Sequence, residues 1–393
     1  MTSPSLPIGA RTGHLTYARS RLYLGITGVG TSVIAAVCVL GFDIASQGFS
    51  TSPDQPLGRA MLSLGLYFAL LTMGFFLFDL VGGAWVVRRK DWAQVWLFRW
   101  LRGVAVHWVV WMAMALALML TARAADVPAV IAVFALGQLL LAALRGRMVG
   151  VIARMPVQPA PPSMVQAAQQ AGLDPAKLRV VDTPDEGFTG GWSGIQPDTL
   201  VVPLRWSTLP AAALTAQFAR RKAIADSGAH RRGVLGAIVW NTAGFGAVLA
   251  LTGASPATAA GIVTLAAGMT LWAFLGVLLL PTPSRAAVYA TDAAAAQTVG
   301  VAGVREAIER LDAWQDDEPT RSVNVERIFH PVPSRSNRLA RLARAPGAGL
   351  GAIHAHHLAR HALWLGWGAL SPISRLVHCN VGRTALWAML PGD

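Results

Sequence analysis

Charged residues are scarce in this sequence, and their scarcity argues against a soluble protein. Asp, Glu, Lys and Arg together make up 13% of the 393 residues, whereas hydrophobic residues make up 54%. An ordinary soluble domain is about a quarter charged. The composition therefore predicts an integral membrane protein with several spans, whose first partner is the lipid bilayer.

Cysteine and the common catalytic motifs are scarce or missing as well. The two cysteines, Cys38 and Cys379, lie far apart and show no CxxC spacing. This argues against a disulfide or a cysteine-bound zinc site. The sequence also has no P-loop, dinucleotide-binding fingerprint, GxSxG motif or Cys–His nucleophile pattern. No motif of these enzyme classes therefore suggests a catalytic site.

Acidic residues are fewer than basic ones, and the formal net charge is +13. A nucleic-acid-binding protein would cluster its basic residues on a soluble fold with a known motif. Here they cluster at the ends of apolar runs, which is typical of the cytoplasmic flanks of membrane spans. We therefore expect no nucleic-acid partner, a location in the inner (cytoplasmic) membrane, and both termini and the soluble parts in the cytoplasm.

Six apolar runs are long enough to form membrane-spanning helices, which need about 20 residues each. They are residues 22–42, 60–87, 104–122, 127–144, 234–251 and 259–280. Residues 1–21 form a cytoplasmic N-terminus, 22–147 a four-span region, and 234–280 a two-span hairpin. Tryptophans and arginines at helical spacing near 91–102 predict either an interfacial helix or a polar extension of the third span.

Two soluble pieces, residues 148–233 and 281–345, flank the hairpin. The short β-branched runs "LRVVDT" and "TLVVPL" predict strands, and the alanine-rich "STLPAAALTAQFARRKAIADSGAH" predicts a helix. The fold class is therefore an α-helical polytopic membrane protein with a cytoplasmic, mostly helical α+β domain. The histidine- and tryptophan-rich tail, residues 346–393, is too short and broken for a span, so we expect it to dock on the membrane or a partner.

Four sequence segments between residues 160 and 345 follow one another in a specific order, with the two-span hairpin between the second and the third. The strand "TLVVP" is followed by "LPAAALTAQFA", then the two-span hairpin, then "SRAAVYATDAAAAQTVG" and "PSRSNRLARL". This order resembles the HtpX-type and CAAX-prenyl-protease class of integral-membrane zinc metallopeptidases. In that class the pieces are a strand, L-P-x-x-x-L-x-A, a helix with AHExxH, two spans, SRxxEYxAD and P-S-x-x-x-R-I-x-x-L. The resemblance implies a metallopeptidase-like cytoplasmic domain.

The residues that the family uses for catalysis are absent from this sequence. The two zinc-binding histidines fall on Arg220 and Ile224, the catalytic glutamate on Arg221, and the glutamate ligand on Val288. Zinc needs deprotonated N, O or S donors, whereas arginine stays protonated. The resemblance therefore implies a degenerate member, a pseudo-enzyme with no catalytic residues and no zinc cofactor. We expect Arg220 and Arg221 to bind a carboxylate instead, Asp292 or Asp226.

Histidines provide two further candidate sites. His354, His357 and His361 have the spacing of one helix face and suggest either a metal site or a basic helix at the membrane surface. His107 follows Gly103 by four residues, which is loosely similar to the small-xxx-His element that ligates bacteriochlorophyll in light-harvesting polypeptides. The alternative for His107 is a histidine buried between helices.

Two polar residues lie inside predicted spans. Asp79 is either a functional intramembrane carboxylate or the partner of a polar or basic group on another element. Asn241 is expected to form a hydrogen bond between helices.

Taken with the missing ligands, these features predict a non-catalytic scaffold, regulator or accessory subunit that binds other integral membrane proteins in a larger complex. Three alternatives stay open: a subunit of a light-harvesting or reaction-centre pigment–protein complex, a membrane metalloenzyme with a different metal site, and a transporter. Pigment or lipid would then be bound through partners.

Overall fold

The computed structural model describes residues 17–85, 92–183, 188–315, 320–344 and 355–383. Six helices in this part of the chain are long and apolar enough to cross a membrane. Their spans are Arg19–Gly41, Leu57–Gly83, Gln94–Ala124, Val127–Ala153, Ala229–Thr252 and Ala259–Leu279. The chain is therefore a multi-pass α-helical membrane protein, as its composition and apolar runs predicted.

Helices dominate the described residues. They are α1 (Tyr17–Gly41), α2 (Ile44–Gly48), α3 (Leu57–Leu80), α4 (Trp92–Ala124), α5 (Val127–Ala153), α6 (Pro162–Gln170), α7 (Ala211–Asp226), α8 (Ala229–Thr252), α9 (Ala259–Leu279), α10 (Pro281–Gln315), α11 (Val323–Phe329), α12 (Arg335–Arg344) and α13 (Leu358–Trp367). The side chains of Asp126 and Thr258 accept hydrogen bonds from Ala129 N and Gly261 N, and so cap the first turns of α5 and α9.

Residues 92–102 extend the third span, which is one of the two interpretations given above for residues 91–102. From Trp92 onward these residues are the beginning of α4, which continues without a break to Ala124. Trp96 and Trp100 are buried inside the protein, at 1% and 4% exposure. No separate interfacial helix forms from residue 92 to 102, because these tryptophans pack within the bundle and the helix has no breaker before the span.

The domain between the fourth and fifth spans contains a small sheet. Its strands are β1 (Val157–Gln158), β2 (Leu178–Val181), β3 (Gly191–Ser193) and β4 (Thr199–Pro203), in the order β1-β2-β4-β3. β2 and β4 are parallel, and the two edge strands pair antiparallel. The two predicted strands are the central pair; the two edge strands, of two and three residues, are too short to have shown a periodic pattern.

The helices of this domain join sequence on both sides of the hairpin. Helix α10 packs along α7, and α12 packs against α10. Gly300 interrupts α10 with a φ of 79°, a backbone conformation that favours glycine, so that α10 consists of two arms. The core of the domain draws on both soluble pieces, including Leu200, Phe218, Ile308 and Leu342.

The C-terminal segment, defined as residues 355–383, departs most from expectation. It packs among the apolar helices, and most of its residues are buried while none is exposed. It contains α13, a reversal at Leu370 with a φ of 68°, and a 3-10 turn at Pro372–Arg375. Side chains of the spans donate hydrogen bonds to its backbone carbonyl groups. Protein partners of this kind allow irregular backbone to be buried among membrane spans. The rest of the predicted tail, 346–354 and 384–393, lies outside the described residues.

Candidate functional site

Two adjacent arginines on α7 occupy the centre of the candidate site. Arg220 and Arg221 are 0% and 1% exposed. Arginine is almost never fully buried unless its charge is paired. Their positions on α7 place them between the sheet domain and α10, which packs along α7. The partners of these two guanidinium groups therefore define what the site can do.

Arg220 shares one carboxylate with a second arginine. Its Nε lies 2.7 Å from Oδ1 of Asp292, on α10. Arg338, on α12, donates from Nε to Oδ2 at 2.8 Å and from Nη2 to Oδ1 at 2.7 Å. All three side chains are buried, so the ion-pair triad of Arg220, Asp292 and Arg338 ties three helices together.

The triad confirms one of the two carboxylates expected from the sequence. Asp292 is the partner of Arg220, whereas Asp226 lies at the exposed end of α7 and pairs with Lys222 at 2.5 Å. The reason is helical geometry: Lys222 and Asp226 are four residues apart on one face, and that face points to solvent.

Arg221 has different surroundings. Its Nη2 donates to the carbonyl oxygen of Thr189 at 3.3 Å, and its guanidinium lies 5.6 Å from the ring centre of Trp206. The carbonyl oxygen of Arg221 accepts a hydrogen bond from Nε1 of Trp192 at 2.8 Å. These contacts fix α7 against the sheet, since Trp192 belongs to β3.

Aliphatic residues fill the other two positions singled out by the resemblance. Ile224 is 1% exposed and belongs to the core of the domain, and Val288 is fully buried on α10. Val288 lies one helical turn before Asp292 and therefore on the same face of α10. Neither side chain offers an atom that binds a metal or activates water.

Burial and neighbouring charges shift the pKa values of Arg220 and Asp292 in opposing ways. Burial lowers the pKa of Arg220 to about 10, and the charge of Asp292 opposes this shift. Burial by itself raises the pKa of Asp292, but the guanidinium groups of Arg338 and Arg220 outweigh it and hold that pKa below its ordinary value. At neutral pH Arg220 is therefore protonated and Asp292 ionised, and the two arginines of the triad offer N–H donors and no lone pair.

The predicted histidine face does not form as a helix face. Helix α13 begins at Leu358, and His357 precedes it with a φ of 51°. His361 lies inside the helix, where its Nδ1 is 2.9 Å from Nη1 of Arg145. His354 lies outside the described residues. Within the described ranges, no three His, Cys, Asp or Glu side chains are grouped so that they could hold a metal ion.

Asp79 is paired with a basic group, which was one of the two interpretations of this residue. Its carboxylate forms an ion pair with Arg375 of the C-terminal segment. It also accepts hydrogen bonds from Nε1 of Trp100 at 2.8 Å and from the backbone N–H of Gly382 at 3.0 Å. Both charged side chains are fully buried.

His107 and Asn241 also bind the C-terminal segment. Nε2 of His107 lies 2.7 Å from the carbonyl oxygen of Trp367, and the two rings stack with centres 4.3 Å apart. A carbonyl oxygen only accepts, so Nε2 carries the proton and is engaged. The amide of Asn241 donates to Oε1 of Gln138 at 3.0 Å and to the carbonyl oxygen of Ala362 at 3.1 Å, as expected of an interhelical hydrogen bond.

Sequence reasoning missed Arg338 and Arg375, the two arginines that complete the buried ion pairs. A signal for the first was present, because Arg338 stands at the arginine of the P-S-x-x-x-R pattern and Asp292 at the aspartate of SRxxEYxAD. Arg338 and Asp292 could therefore have been predicted to pair, because they are charged residues that match these two patterns. Arg375 had no such signal, since the segment around it matched no motif.

No protein-family model matches the chain, and neither does any curated protein.

Proposed function

We propose that this chain is a catalytically inactive, metallopeptidase-like membrane protein that acts as a scaffold, regulator or accessory subunit of a larger membrane complex. The observation that carries the proposal is the triad of Arg220, Asp292 and Arg338. Arg220, which the sequence resemblance aligns with a zinc-binding histidine, is engaged there in a buried ion pair. A fold keeps its binding surfaces when its catalytic groups are replaced.

Charge supports the inactive assignment. A zinc ion at this position would meet the guanidinium groups of Arg220 and Arg221, which repel a dication and have no lone pair to donate. Ile224 and Val288 leave the remaining ligand positions apolar. Binding zinc there would require breaking the triad, which stabilises the domain.

The residues behind the three alternatives take part in internal packing. His107 binds the carbonyl of Trp367, His361 binds Arg145, and Asp79 binds Arg375. These contacts account for each residue within the fold, so we favour the scaffold over a pigment subunit, a metalloenzyme or a transporter.

We further propose that the α+β domain faces the cytoplasm from an inner membrane. The span ends nearest the domain carry most of the basic residues, namely Arg99, Arg102, Arg145, Arg147, Arg231, Arg232 and Arg285. The opposite ends carry Arg59 and Arg123. Positive residues favour the cytoplasmic side. A single cysteine at Lys222 should react with a membrane-impermeant maleimide in inside-out vesicles and not in intact cells; the reverse pattern contradicts this orientation.

The function is tested by purifying the tagged chain from its native membrane in mild detergent. We expect a complex heavier than the 41.5 kDa chain, with an integral membrane protein at fixed stoichiometry, and zinc well below one ion per chain. Stoichiometric zinc with chelator-sensitive peptide hydrolysis would overturn the inactive assignment. A chain that runs as a monomer without a partner would overturn the subunit assignment.

A further inference from the structure

The C-terminal segment enters the membrane bundle and leaves it on the same side. It follows α12 of the domain, and the backbone N–H of His356 donates to the carbonyl of Ala229, at the domain end of α8. Its other end lies at the domain-side ends of the first and second spans, where Arg21 donates to the carbonyl of Val381. Between these ends Leu370 joins the apolar core shared by the spans. The segment is therefore re-entrant.

Polar side chains of several spans bind the backbone of this segment. Donors from the spans reach five of its carbonyl groups: Nε2 of His107 to Trp367 at 2.7 Å, Gln138 to Leu365 at 3.3 Å, Asn241 to Ala362 at 3.1 Å, Trp96 to Gly382 at 2.8 Å and Arg21 to Val381 at 3.1 Å. Irregular backbone at membrane depth is tolerated when such groups are satisfied by protein. The polar residues of the spans thus line a chamber that fits one peptide segment.

Shape complements these hydrogen bonds. A Cβ atom added to Gly25 of α1 would lie 2.6 Å from the backbone N of His378. Real Cβ atoms essentially never come this close, so a side chain at Gly25 would push the segment away from the first span. The first span is therefore fitted to the segment at backbone distance.

One ion pair fastens the segment in the chamber. Arg375 and Asp79 are both fully buried, and the guanidinium also lies 5.5 Å from the ring centre of Trp100. Removing one partner of a buried pair leaves an uncompensated charge, whereas replacing both by uncharged groups is often close to neutral. We call the pair a latch, because it stabilises the bound segment while both charges are present.

We propose that the C-terminal segment is a reversible plug, latched by Arg375 and Asp79, that closes a polar chamber opening on the domain side of the membrane bundle. When the plug leaves, the carboxylate of Asp79, the imidazole of His107 and the amides of Gln138 and Asn241 line the vacated chamber. The proposal does not depend on the proposed scaffold function.

Thiol labelling of the full chain tests the plug. In a background with Cys38→Ala and Cys379→Ala, a single cysteine is placed either in the plug, as Ser371→Cys, or in the wall of the bundle, as Ala36→Cys. The two residues are 1% and 5% exposed. The labelling rate with a small uncharged maleimide reports how often each site opens. We expect Asp79→Asn to raise the rate at residue 371 by roughly a hundredfold or more and to leave the rate at residue 36 unchanged.

A double variant distinguishes loss of the latch from damage to the fold. Asp79→Asn combined with Arg375→Met removes both charges and keeps an acceptor for Trp100, so labelling at residue 371 should return to within roughly tenfold of the original rate. If both cysteines react faster together in Asp79→Asn, the segment is an inseparable part of the core and the proposal fails. If neither reacts faster, or the double variant stays as reactive as the single one, the ion pair is not a latch and the proposal also fails.

Discussion

Replacing Asp292 by asparagine should strongly destabilise the α+β domain. The substitution keeps the size of the side chain and an acceptor oxygen, but removes the negative charge that Arg220 and Arg338 share. The two guanidinium groups then remain buried and facing each other without the carboxylate between them. Arg221, next to Arg220 on α7, adds to the repulsion.

The size of the effect follows from the geometry. An ion pair with charges about 4 Å apart contributes about 4 kcal/mol at an effective dielectric constant near 20. Removing one partner of a buried pair typically costs about 3–5 kcal/mol, because the other charge stays buried. We therefore expect Asp292→Asn to lower the free energy of unfolding of the domain by about 3–5 kcal/mol. For a domain of this size, that corresponds to a fall of roughly 10 °C in melting temperature.

The assay is thermal unfolding of the full chain in detergent, followed by tryptophan fluorescence, since Trp192 and Trp206 lie beside the site. Asp226→Asn is the matched control: the same chemical change, on the exposed pair with Lys222. Exposed pairs four residues apart contribute about 0.3–0.5 kcal/mol. The control should therefore lower the melting temperature by only about 1 °C.

Equal shifts in the two variants, or an unchanged melting curve for Asp292→Asn, would refute the reasoning. Such a result would mean that water solvates the arginines or that another acidic group neutralises them, and that the triad does not hold α7, α10 and α12 together.

Three further outcomes are expected. Arg220→Met should cost less than Asp292→Asn, about 1.5–3 kcal/mol in the same melting assay, because Arg338 still binds Asp292 with two hydrogen bonds; a larger loss would contradict the shared-carboxylate arrangement. Asn241→Leu should lower the stability of the membrane bundle by about 1 kcal/mol, measured by melting of the spans in detergent, through loss of its bond to Ala362; an unchanged melting curve would show that the bond contributes nothing. The domain should also lose stability in acid: the folded state holds the pKa of Asp292 below its unfolded value of about 3.9, so this contribution is complete above about pH 4 and is lost as the pH falls through the lower folded pKa. Asp292→Asn should flatten the stability curve in that range, and an equally steep curve in the variant would assign the acid effect to other groups.

Local features of the sequence predicted the parts of the fold that depend on local physics. Apolar length alone decides whether a helix can span a bilayer, so the six spans were visible in the sequence. The central strands β2 and β4 were visible because β-branched residues concentrate there. The edge strands were not, since two or three residues carry no period and form only by pairing with the central strands.

The candidate site also has one part that could be predicted from the sequence and one part that could not. That the side chains of Arg220, Arg221, Ile224 and Val288 are not metal ligands could be predicted residue by residue, because metal binding depends on the chemical type of each side chain. The same reasoning also predicted Asp292 as one of two candidate carboxylate partners. Its second partner, Arg338, lies 46 residues further along the chain, and only the packing of α12 against α10 brings it there.

The sequence by itself determined that this is a membrane protein with six apolar helices, and that Asp79, His107 and Asn241 are polar residues within them. It did so because hydrophobic length and the rarity of polar residues in spans are properties of single segments. The tertiary structure alone decided what those polar residues do. Arg375 reaches Asp79 across 296 positions of sequence, and the C-terminal segment is held among the apolar helices by donors from several of them. A broken, partly polar segment contains no local signal for burial, because its burial depends on hydrogen-bond partners that distant helices supply.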